Sequence, residues 1–267
     1  VKFDIGVITN ITHEHLDYHK TEENYFQAKA KLIKNVRVAV LNKDEKHSSR
    51  LSKLTSGKVV SFGLGKKADF NPNSFPFSLK IPGEYNLQNA LAAAAAGVSL
   101  ELDKDTIQHT LSSFQSLPGR MQEIPNNLGI RIIIDFAHTP NGLEQVLKTL
   151  KFRKPRGKRL ICVTGAEGRR DIEKRPMMGK IAQKLADMVI LTAVDPRGEL
   201  YPINEQIVSG AKKSGGQIGK NLFLIDDRQE AISFSINQAK KGDVVGIFGK
   251  GHEKSMNIDG KKEIPWS

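Results

Sequence analysis

The second half of the chain alternates short apolar runs with longer amphipathic segments. The apolar runs have the length of buried strands, and the segments between them repeat their apolar positions with helical spacing. We predict strands at 130–134, 159–164, 188–192, 222–225 and 244–248, and helices at 141–150, 176–185, 203–213 and 228–239. This alternation, with nearly continuous apolar strands, predicts a parallel, doubly wound α/β sheet.

The pattern of the first half is less regular. It predicts strands at 3–9, 36–41, 59–62 and 77–81, and helices from Thr21, over 44–54, from the N-cap Asn86 through an alanine run, and from Asp103 or Asp105. Leu117-Pro-Gly ends the last of these helices, because proline and glycine both interrupt helical backbone. We therefore expect a domain boundary between residues 117 and 118.

A lysine falls in the middle of the apolar face of the helix that starts at Thr21. At about 100° per residue, Lys29 lies among the residues of that face, which are Tyr25, Phe26, Ala28, Leu32 and Ile33. Such a lysine must extend to solvent, pair with an acid, lose its proton or be modified, since an isolated buried ammonium is unfavourable. Two interpretations stay open, a snorkelling lysine beside a solvated acidic loop or a cation site. That loop holds His13, Glu14, His15, Asp17 and His19.

Unusual polar residues follow four of the five strands predicted for the second half. The segments are Asp135-Phe-Ala-His-Thr-Pro140, Gly165-Ala-Glu-Gly-Arg-Arg-Asp171, Asp195-Pro-Arg-Gly-Glu199 and Gly249-Lys-Gly-His-Glu253. The carboxyl ends of parallel strands share one edge, where open α/β sheets bind their ligands. Any one segment could be an ordinary turn, but the four together predict a binding site at this edge.

Charge and composition narrow the classes of partner. The 267-residue chain has a formal net charge of +12, which favours anionic partners such as nucleotides and phosphates. Its basic cluster, 151–159, holds Phe152 as its single aromatic residue and not the interleaved aromatic series of a single-strand binder, so we interpret it as a solvated loop and expect no nucleic-acid partner. Cys162 lies in an apolar run, which indicates a core residue in a reducing compartment. No signal peptide or bilayer-spanning run is visible, so we expect a cytoplasmic protein without a membrane partner. We also expect a monomer.

The motifs together resemble the Mur ligase family, most closely its UDP-N-acetylmuramoyl-tripeptide synthetases. The resemblance rests on Glu14-His-Leu-Asp-Tyr-His19, Ala28-Lys29, Gly83-Glu-Tyr-Asn-Leu-Gln-Asn89, Gly119-Arg-Met121 and the segments after the strands of the second half. It implies that 1–117 is the C-terminal portion of a central ATP-binding domain. Residues 118–267 would then form a Rossmann-like C-terminal domain that binds the amino acid.

The resemblance also implies roles for single residues. His15 and a carbamylated Lys29 would hold Mg²⁺, because carbamylation turns a cation into an oxygen ligand suited to this ion. The catalytic residues would be Lys29, His15 and Arg120. ATP would be bound by Asn89, Arg120, Asp135, His138 and Lys250. The substrates would be bound by Arg170, Asp195, Arg197, Gly249 and Glu253.

The motif that reads the incoming amino acid departs from the family pattern. Val194-Asp195-Pro-Arg197 stands where the family has Asp-Asn-Pro-Arg. Arg197 can still bind a carboxylate bidentately, and Glu253 can bind an ammonium, which favours meso-diaminopimelate over lysine. Glu14, Gln122 and Arg169 are further departures.

The implied reaction is an ATP-dependent amide ligation of peptidoglycan biosynthesis. ATP would phosphorylate the terminal carboxylate of UDP-N-acetylmuramoyl-L-Ala-D-Glu, and the amine of a diamino acid would then displace phosphate. These residues contain no Gly-x-x-x-x-Gly-Lys-[Ser/Thr] P-loop and no uridine-nucleotide domain, so we expect a truncated and inactive fragment. The alternatives are a folylpolyglutamate or MurF-type ligase, a non-catalytic binding module, and nucleic-acid binding through the basic cluster.

Overall fold

The computed structural model describes residues 3–12 and 16–267, and it divides the chain into two compact units. Unit 1 spans residues 1–115 and unit 2 spans residues 116–267. The predicted boundary lies two residues after this division. The functional roles of the two domains stay a prediction.

Unit 1 is built on a three-stranded parallel sheet in the order β1-β2-β3, with strands Ile5–Ile8, Val38–Asn42 and Lys58–Phe62. Its helices are α1 Leu16–His19, α2 Glu22–Ala30, α3 Ser48–Ser52, α4 Glu84–Ser99 and α5 Lys104–Ser113. A 3₁₀ turn, Lys31–Ile33, continues α2. Successive residues of a strand face opposite sides of the sheet, so β2 contributes side chains to two apolar clusters, one on each face. Ala39 and Leu41 pack in the cluster with α2, and Val38 and Val40 pack in the cluster with α4.

The strand predicted at 77–81 is wrong, because these residues belong to no strand in the structure. Phe77 packs in the apolar cluster beside α4 and α5, which explains the hydrophobic pattern. The backbone beside it bonds to side chains of α5 instead of to a neighbouring strand. Gln108 Nε2 donates to the carbonyl of Pro76 over 2.6 Å, and Ser78 N donates to Ser112 Oγ over 3.4 Å.

The helix predicted at 44–54 is shorter than expected and spans Ser48–Ser52. Asp44 instead holds a turn: its Oδ2 accepts a 2.7 Å hydrogen bond from Leu64 N. The alanine-rich helix begins at Glu84 with Gly83 as its N-cap, so the prediction of Asn86 as the cap is also wrong. Asn86 lies in the first turn, and its Nδ2 donates to the carbonyl of Pro82 over 2.7 Å. Asp103 does cap α5, as predicted.

Unit 2 contains a six-stranded sheet in the order β4-β5-β9-β6-β7-β8. The strands are β4 Gln122–Ile124, β5 Arg131–Asp135, β6 Leu160–Thr164, β7 Met188–Leu191, β8 Leu222–Leu224 and β9 Val244–Phe248. Five of them are parallel, as predicted, but β4 pairs antiparallel with β5 and makes the sheet mixed. The pattern did not show β4, because three residues are too few to reveal an alternation. A small antiparallel hairpin, β10 Ser255–Met256 and β11 Ile264–Pro265, follows β9.

Helices cover both faces of this sheet. They are α6 Pro140–Arg153, α7 Lys174–Leu185, α8 Leu200–Lys212 and α9 Arg228–Gln238. The first three pack side by side, and α9 packs against β6, β7 and β9 on the other face. The contact between α7 and α8 is very close, since a Cβ at Gly210 would lie 1.9 Å from the carbonyl oxygen of Pro176. Among the described residues, no helix has both the length and the apolar character needed to cross a membrane.

Candidate functional site

Lys29 is exposed, although the helical wheel places it on the apolar face of α2. The buried residues of α2 are Tyr25, Phe26 and Ala30, and Lys29 Nζ lies 5.3 Å from the centroid of the Tyr25 ring. The aliphatic stem of a lysine lets its charged end reach solvent from the edge of an apolar face. The structure therefore places the charged end of Lys29 in solvent. Of the two interpretations, the lysine that snorkels to solvent agrees with the position of this unmodified side chain.

The predicted Mg²⁺ site is not assembled by the described residues. His15, like His13 and Glu14, lies outside the described ranges. Residues 3–12 and 16–267 contain no group of three or more histidine, cysteine or carboxylate side chains arranged to hold a metal ion. An unmodified lysine ammonium has no lone pair to offer a cation. The described donor set thus does not fit Mg²⁺.

Asn89 lies in α4 and is exposed, so its amide can be reached by a ligand. The helix itself is held to the sheet by Leu91, Ala92 and Ala95, which belong to the buried cluster beside β2 and β3. Small alanine side chains allow a helix to lie close to a sheet. The role of Asn89 as a base contact stays a prediction.

In unit 2, the predicted loops meet at the carboxyl edge of the sheet, as the parallel strand order requires. Lys250 follows β9 and is only 4% exposed, and its Nζ donates to Asp195 Oδ2 in the loop after β7 over 2.9 Å. Glu253 Oε1 lies 3.9 Å from the same ammonium, and Glu253 Oε2 accepts from Gly251 N over 2.7 Å. Gly249, at φ +91°, lets the chain turn sharply after β9. Lys250, Asp195 and Glu253 therefore form one charged network.

Arg197 is half-buried in the loop after β7, and its Nη1 donates to the carbonyl of Gly168 in the loop after β6 over 3.2 Å. Gly168 N in turn donates to the carbonyl of Asp195 over 2.9 Å. A Cβ at Gly168 would lie 2.0 Å from the carbonyl oxygen of Pro196, so only glycine fits there. The two loops are thus joined at their backbones. Arg170, two residues later, is exposed.

A second cluster gathers Arg120, Phe136, His138 and His252. The Arg120 guanidinium lies 4.5 Å from the centroid of the Phe136 ring, an attractive cation–π distance. The Phe136 ring is 4.5 Å from His138 and 5.7 Å from His252, centroid to centroid. The backbones also meet, because a Cβ at Gly119 would lie 2.3 Å from the carbonyl carbon of residue 251. The structure therefore brings Arg120, His138 and the loop of Lys250 to the same side of unit 2.

Asp135 is 7% exposed, and the chain itself uses both of its carboxylate oxygens. Oδ1 accepts from Ala137 N over 2.9 Å, and Oδ2 accepts from Met121 N over 2.8 Å. Burial raises the pKa of Asp135, while these two bonds and the charge of Arg120 oppose the shift. Met121 has the left-handed φ of +48°, so the second bond stabilises an unfavourable backbone. Asp135 positions two turns in this structure, and its role as a ribose ligand stays a prediction.

Three buried cations at this edge were not assigned a role from the sequence. Lys174 is 4% exposed and donates to the carbonyl of His138 over 3.1 Å. Arg175 is 1% exposed and donates to Glu167 O over 3.0 Å. Arg228, at the start of α9, is 2% exposed and donates to Phe248 O over 2.9 Å. A cation at a helix N-terminus opposes the helix dipole, and that unusual placement could have drawn attention to Arg228.

Burial lowers the pKa of Arg228 to about 10, and the charges of Glu253 and Asp195 oppose this shift. Together with Lys250, the three cations place four buried positive charges at the carboxyl edge. Carboxylates of the chain lie beside them, Glu167 near Lys174, Glu199 near Arg175, and Asp195 and Glu253 near Lys250. The buried charges are thus paired within the chain.

Two family models match the chain. Residues 1–97 match the Mur ligase middle domain, and residues 119–251 match the glutamate ligase domain of the Mur ligases. The two matches fall in units 1 and 2 respectively.

Curated relatives match nearly the full chain. The chain is 36% identical over 286 aligned positions to "UDP-N-acetylmuramoyl-L-alanyl-D-glutamate--2,6-diaminopimelate ligase 1" of Clostridium acetobutylicum, and this alignment covers 99% of the chain and 57% of the relative. It is 38% identical over 281 positions to the Aquifex aeolicus ligase of the same name without the number, and this alignment covers 98% of the chain and 56% of the relative. The chain therefore spans a little more than half the length of these relatives.

Solved structures of similar fold carry related names. A 2,6-diaminopimelate ligase of the same name shares 33% sequence identity at a TM-score of 0.56, covering 99% of this chain and 58% of that one. The MurF ligase of Thermotoga maritima, solved in complex with ADP, has a TM-score of 0.70 at 20% identity, with 92% and 58% coverage. The second likeness shows the fold alone.

Proposed function

The chain belongs to the Mur ligase family, and we propose that it forms the middle and C-terminal parts of an ATP-dependent ligase of peptidoglycan biosynthesis. The proposed reaction adds meso-diaminopimelate to UDP-N-acetylmuramoyl-L-alanyl-D-glutamate through an acyl phosphate. The names of the relatives, at 36% and 38% identity, support this choice of substrates. The chain covers only part of those relatives, so the activity is proposed for the complete gene product.

The charged network at the carboxyl edge of unit 2 is the observation that carries the proposal. Lys250 is buried against Asp195, and Arg197 lies half-buried in the same loop as Asp195. A guanidinium there can bind the distal carboxylate of a diamino acid, and Glu253 can accept from its ammonium. Lysine lacks that carboxylate. This difference in chemistry supports diaminopimelate as the amino acid.

Phosphoryl transfer depends mainly on positioning and on neutralising charge. In the proposal, Arg120 contributes an exposed cation, whose guanidinium lies against the face of Phe136. His138 and Lys250 supply further polar groups on the same side of unit 2. Asn89 in unit 1 is proposed to contact the base of ATP through its exposed amide.

The Mg²⁺ assigned by resemblance to His15 and Lys29 enters none of these steps, because the described residues do not fit it. When bound, the ion would neutralise phosphate charge. Lys29 could join such a site only after carbamylation, which replaces its ammonium by a carboxylate-like group. The site stays a proposal that depends on this modification.

The test uses the complete gene product, including any residues encoded before residue 1. It is incubated with ATP, Mg²⁺ and UDP-N-acetylmuramoyl-L-Ala-D-Glu, and ADP release is compared between meso-diaminopimelate and lysine. We expect release that depends on diaminopimelate. Release with lysine alone would keep the ligase and overturn the choice of amino acid. No release with either would refute the proposed reaction and favour a sister ligase or a binding module.

The Arg197→Ala variant tests the assignment of the distal carboxylate. The variant loses a charged hydrogen-bonded pair that contributes about 2 kcal/mol of binding free energy, so the KM for diaminopimelate should rise roughly thirtyfold. Arg153→Ala is the matched control, because this arginine is exposed at the end of α6. An unchanged KM in Arg197→Ala would remove the reason for choosing diaminopimelate.

A further inference from the structure

The loop that carries Arg197 has an unfavourable backbone that must be held by other parts of unit 2. Asp195 has a φ of +44° and Arg197 a φ of +50°, both in the left-handed region that L-residues with side chains seldom adopt. Aspartate adopts this region more readily than most residues, but arginine does not, so the side chain of Arg197 gives its backbone no preference for this conformation. The direction of the Arg197 side chain depends on whatever fixes these two angles.

The hairpin of β10 and β11 supplies three hydrogen bonds to this loop. Arg197 N donates to the carbonyl of Asn257 over 3.1 Å, and Gly198 N donates to the carbonyl of Ile258 over 2.7 Å. In the opposite direction, Asn257 N donates to Asp195 Oδ1 over 2.9 Å. The bonds thus lie on both sides of the left-handed Arg197 and include its own N–H.

The shape of the hairpin turn fits the loop closely. Gly260 has a φ of +80°, and a Cβ there would lie 2.8 Å from the carbonyl oxygen of Arg197 and 2.6 Å from Arg169 Nη2. The turn is held by Asn257, whose Oδ1 accepts from Gly260 N over 2.7 Å and whose Nδ2 donates to Glu263 Oε1 over 3.2 Å. One side chain therefore closes the turn, while its own backbone binds the loop.

The hairpin is anchored to the rest of unit 2 at both ends. Met256 is 3% exposed, and the Trp266 ring lies 5.9 Å from the buried guanidinium of Arg228. Arg228 also binds the end of β9 through Phe248 O. The strands of the hairpin are only two residues long, which is too short for independent stability. Its contacts with the loop and with Arg228 must therefore maintain it.

We propose that the hairpin Ser255–Pro265 is a positioning element for the amino-acid-binding loop, and that Asn257 is the positioning residue through which it acts. The hairpin holds Arg197 in the conformation that directs its guanidinium. Asp195, expected from the sequence to bind substrate, is a second positioning residue, because one of its oxygens binds Lys250 and the other binds Asn257 N. The consequence for amino-acid binding rests on the proposed function, whereas the effect on the loop does not.

The first test measures amide hydrogen exchange at Arg197 and Gly198, which needs no enzymatic activity. Asn257→Ala removes the bonds that close the turn and should speed exchange at these two amides by about tenfold or more. Asn257→Asp keeps an oxygen acceptor for Gly260 N and should restore most of the protection. Asn126→Ala is the matched control, since Asn126 makes the same kind of turn-closing bonds between β4 and β5.

Unchanged exchange at Arg197 and Gly198 in Asn257→Ala would overturn the proposal. An equal increase at the amides of β6 would also overturn it, because Asn257 would then support unit 2 as a whole. The second test uses the complete ligase, where Asn257→Ala should raise the KM for the diamino acid about tenfold and change kcat and the KM for ATP less than about twofold. An unchanged KM would overturn the link to amino-acid binding. A wild-type enzyme without ligase activity would refute the proposed function, while the exchange experiment would still decide the role of the hairpin.

Discussion

Replacement of Asp243 by alanine should destabilise unit 2, because this carboxylate joins the starts of two central strands. Asp243 precedes β9 and is 2% exposed. Its oxygens accept from Arg159 N, just before β6, over 2.9 Å and from Lys240 N over 3.0 Å. The Arg159 guanidinium donates to it twice, over 2.9 Å and 2.8 Å.

The expected loss follows from these four bonds. Alanine would leave two backbone N–H groups without their acceptor, at about 1 kcal/mol each, and would remove a partly exposed ion pair of about 1 kcal/mol. The free energy of unfolding should fall by about 3 kcal/mol, out of a typical total of about 5–15 kcal/mol. For a unit of this size, that corresponds to a Tm lower by roughly 6–12 °C.

The effect should also depend on pH. Burial alone would raise the pKa of Asp243, but the bonds from Arg159 and Lys240 together outweigh it and hold this pKa below its ordinary value. A carboxyl whose pKa is lowered on folding stabilises the protein above its unfolded-state pKa, and this contribution is lost as the pH falls through the folded-state pKa. The difference between wild type and Asp243→Ala should therefore be full near about pH 7 and shrink below about pH 4.

Urea unfolding of both proteins, followed by circular dichroism at several pH values, measures this difference. Asp259→Ala is the matched control, since Asp259 also accepts two backbone N–H bonds but is exposed. Its replacement should change stability much less. A loss below about 1 kcal/mol in Asp243→Ala, or one that does not vary with pH, would refute the reasoning.

Three further predictions concern other parts of the chain. Gly210→Ala should lower the free energy of unfolding of unit 2 by about 3 kcal/mol in urea, because its Cβ would lie 1.9 Å from the carbonyl oxygen of Pro176. Gly65→Ala should change stability little, because its Cβ would lie 3.4 Å from Asp44 Oδ1, and equal effects of the two variants would contradict the packing argument. Cys162 is fully buried, and burial raises the pKa of its thiol. Iodoacetamide should therefore label it only in denaturant, and rapid labelling of the native protein would contradict this burial. Lys29→Ala in the complete ligase should abolish ADP formation if the residue is carbamylated at the metal site, and wild-type turnover would leave Lys29 as a surface cation.

Local pattern predicted most of unit 2 correctly. The predicted strand 244–248 coincides with β9, and the predicted helices match α6 to α9 to within a few residues at each end. Buried parallel strands carry continuous apolar runs that are visible without any tertiary contact. The pattern also predicted that the polar loops meet at the carboxyl edge of the sheet, since the order of strand and loop along the chain determines which segments reach it.

Pattern failed where a long-range contact, rather than a repeat, decided the structure. The apolar run around Phe77 packs into a core without pairing to a strand, because side chains of α5 satisfy its backbone. A second feature was left open by the pattern. Lys29 has the helical phase of a buried residue, and the structure shows that its flexible stem carries the charge to solvent beside Tyr25. Neither outcome can be read from a periodicity.

The sequence by itself determined the fold class, the family resemblance and the four polar loops of unit 2, because these depend on the order and spacing of residue types. Only the tertiary structure decided what each polar residue does within those loops. Asp135 and Asp195 have the chemistry of ligands, but residues distant along the chain, such as Met121 and Asn257, occupy their oxygens. A carboxylate binds whichever donors the fold brings within about 3 Å, and that choice is made by packing.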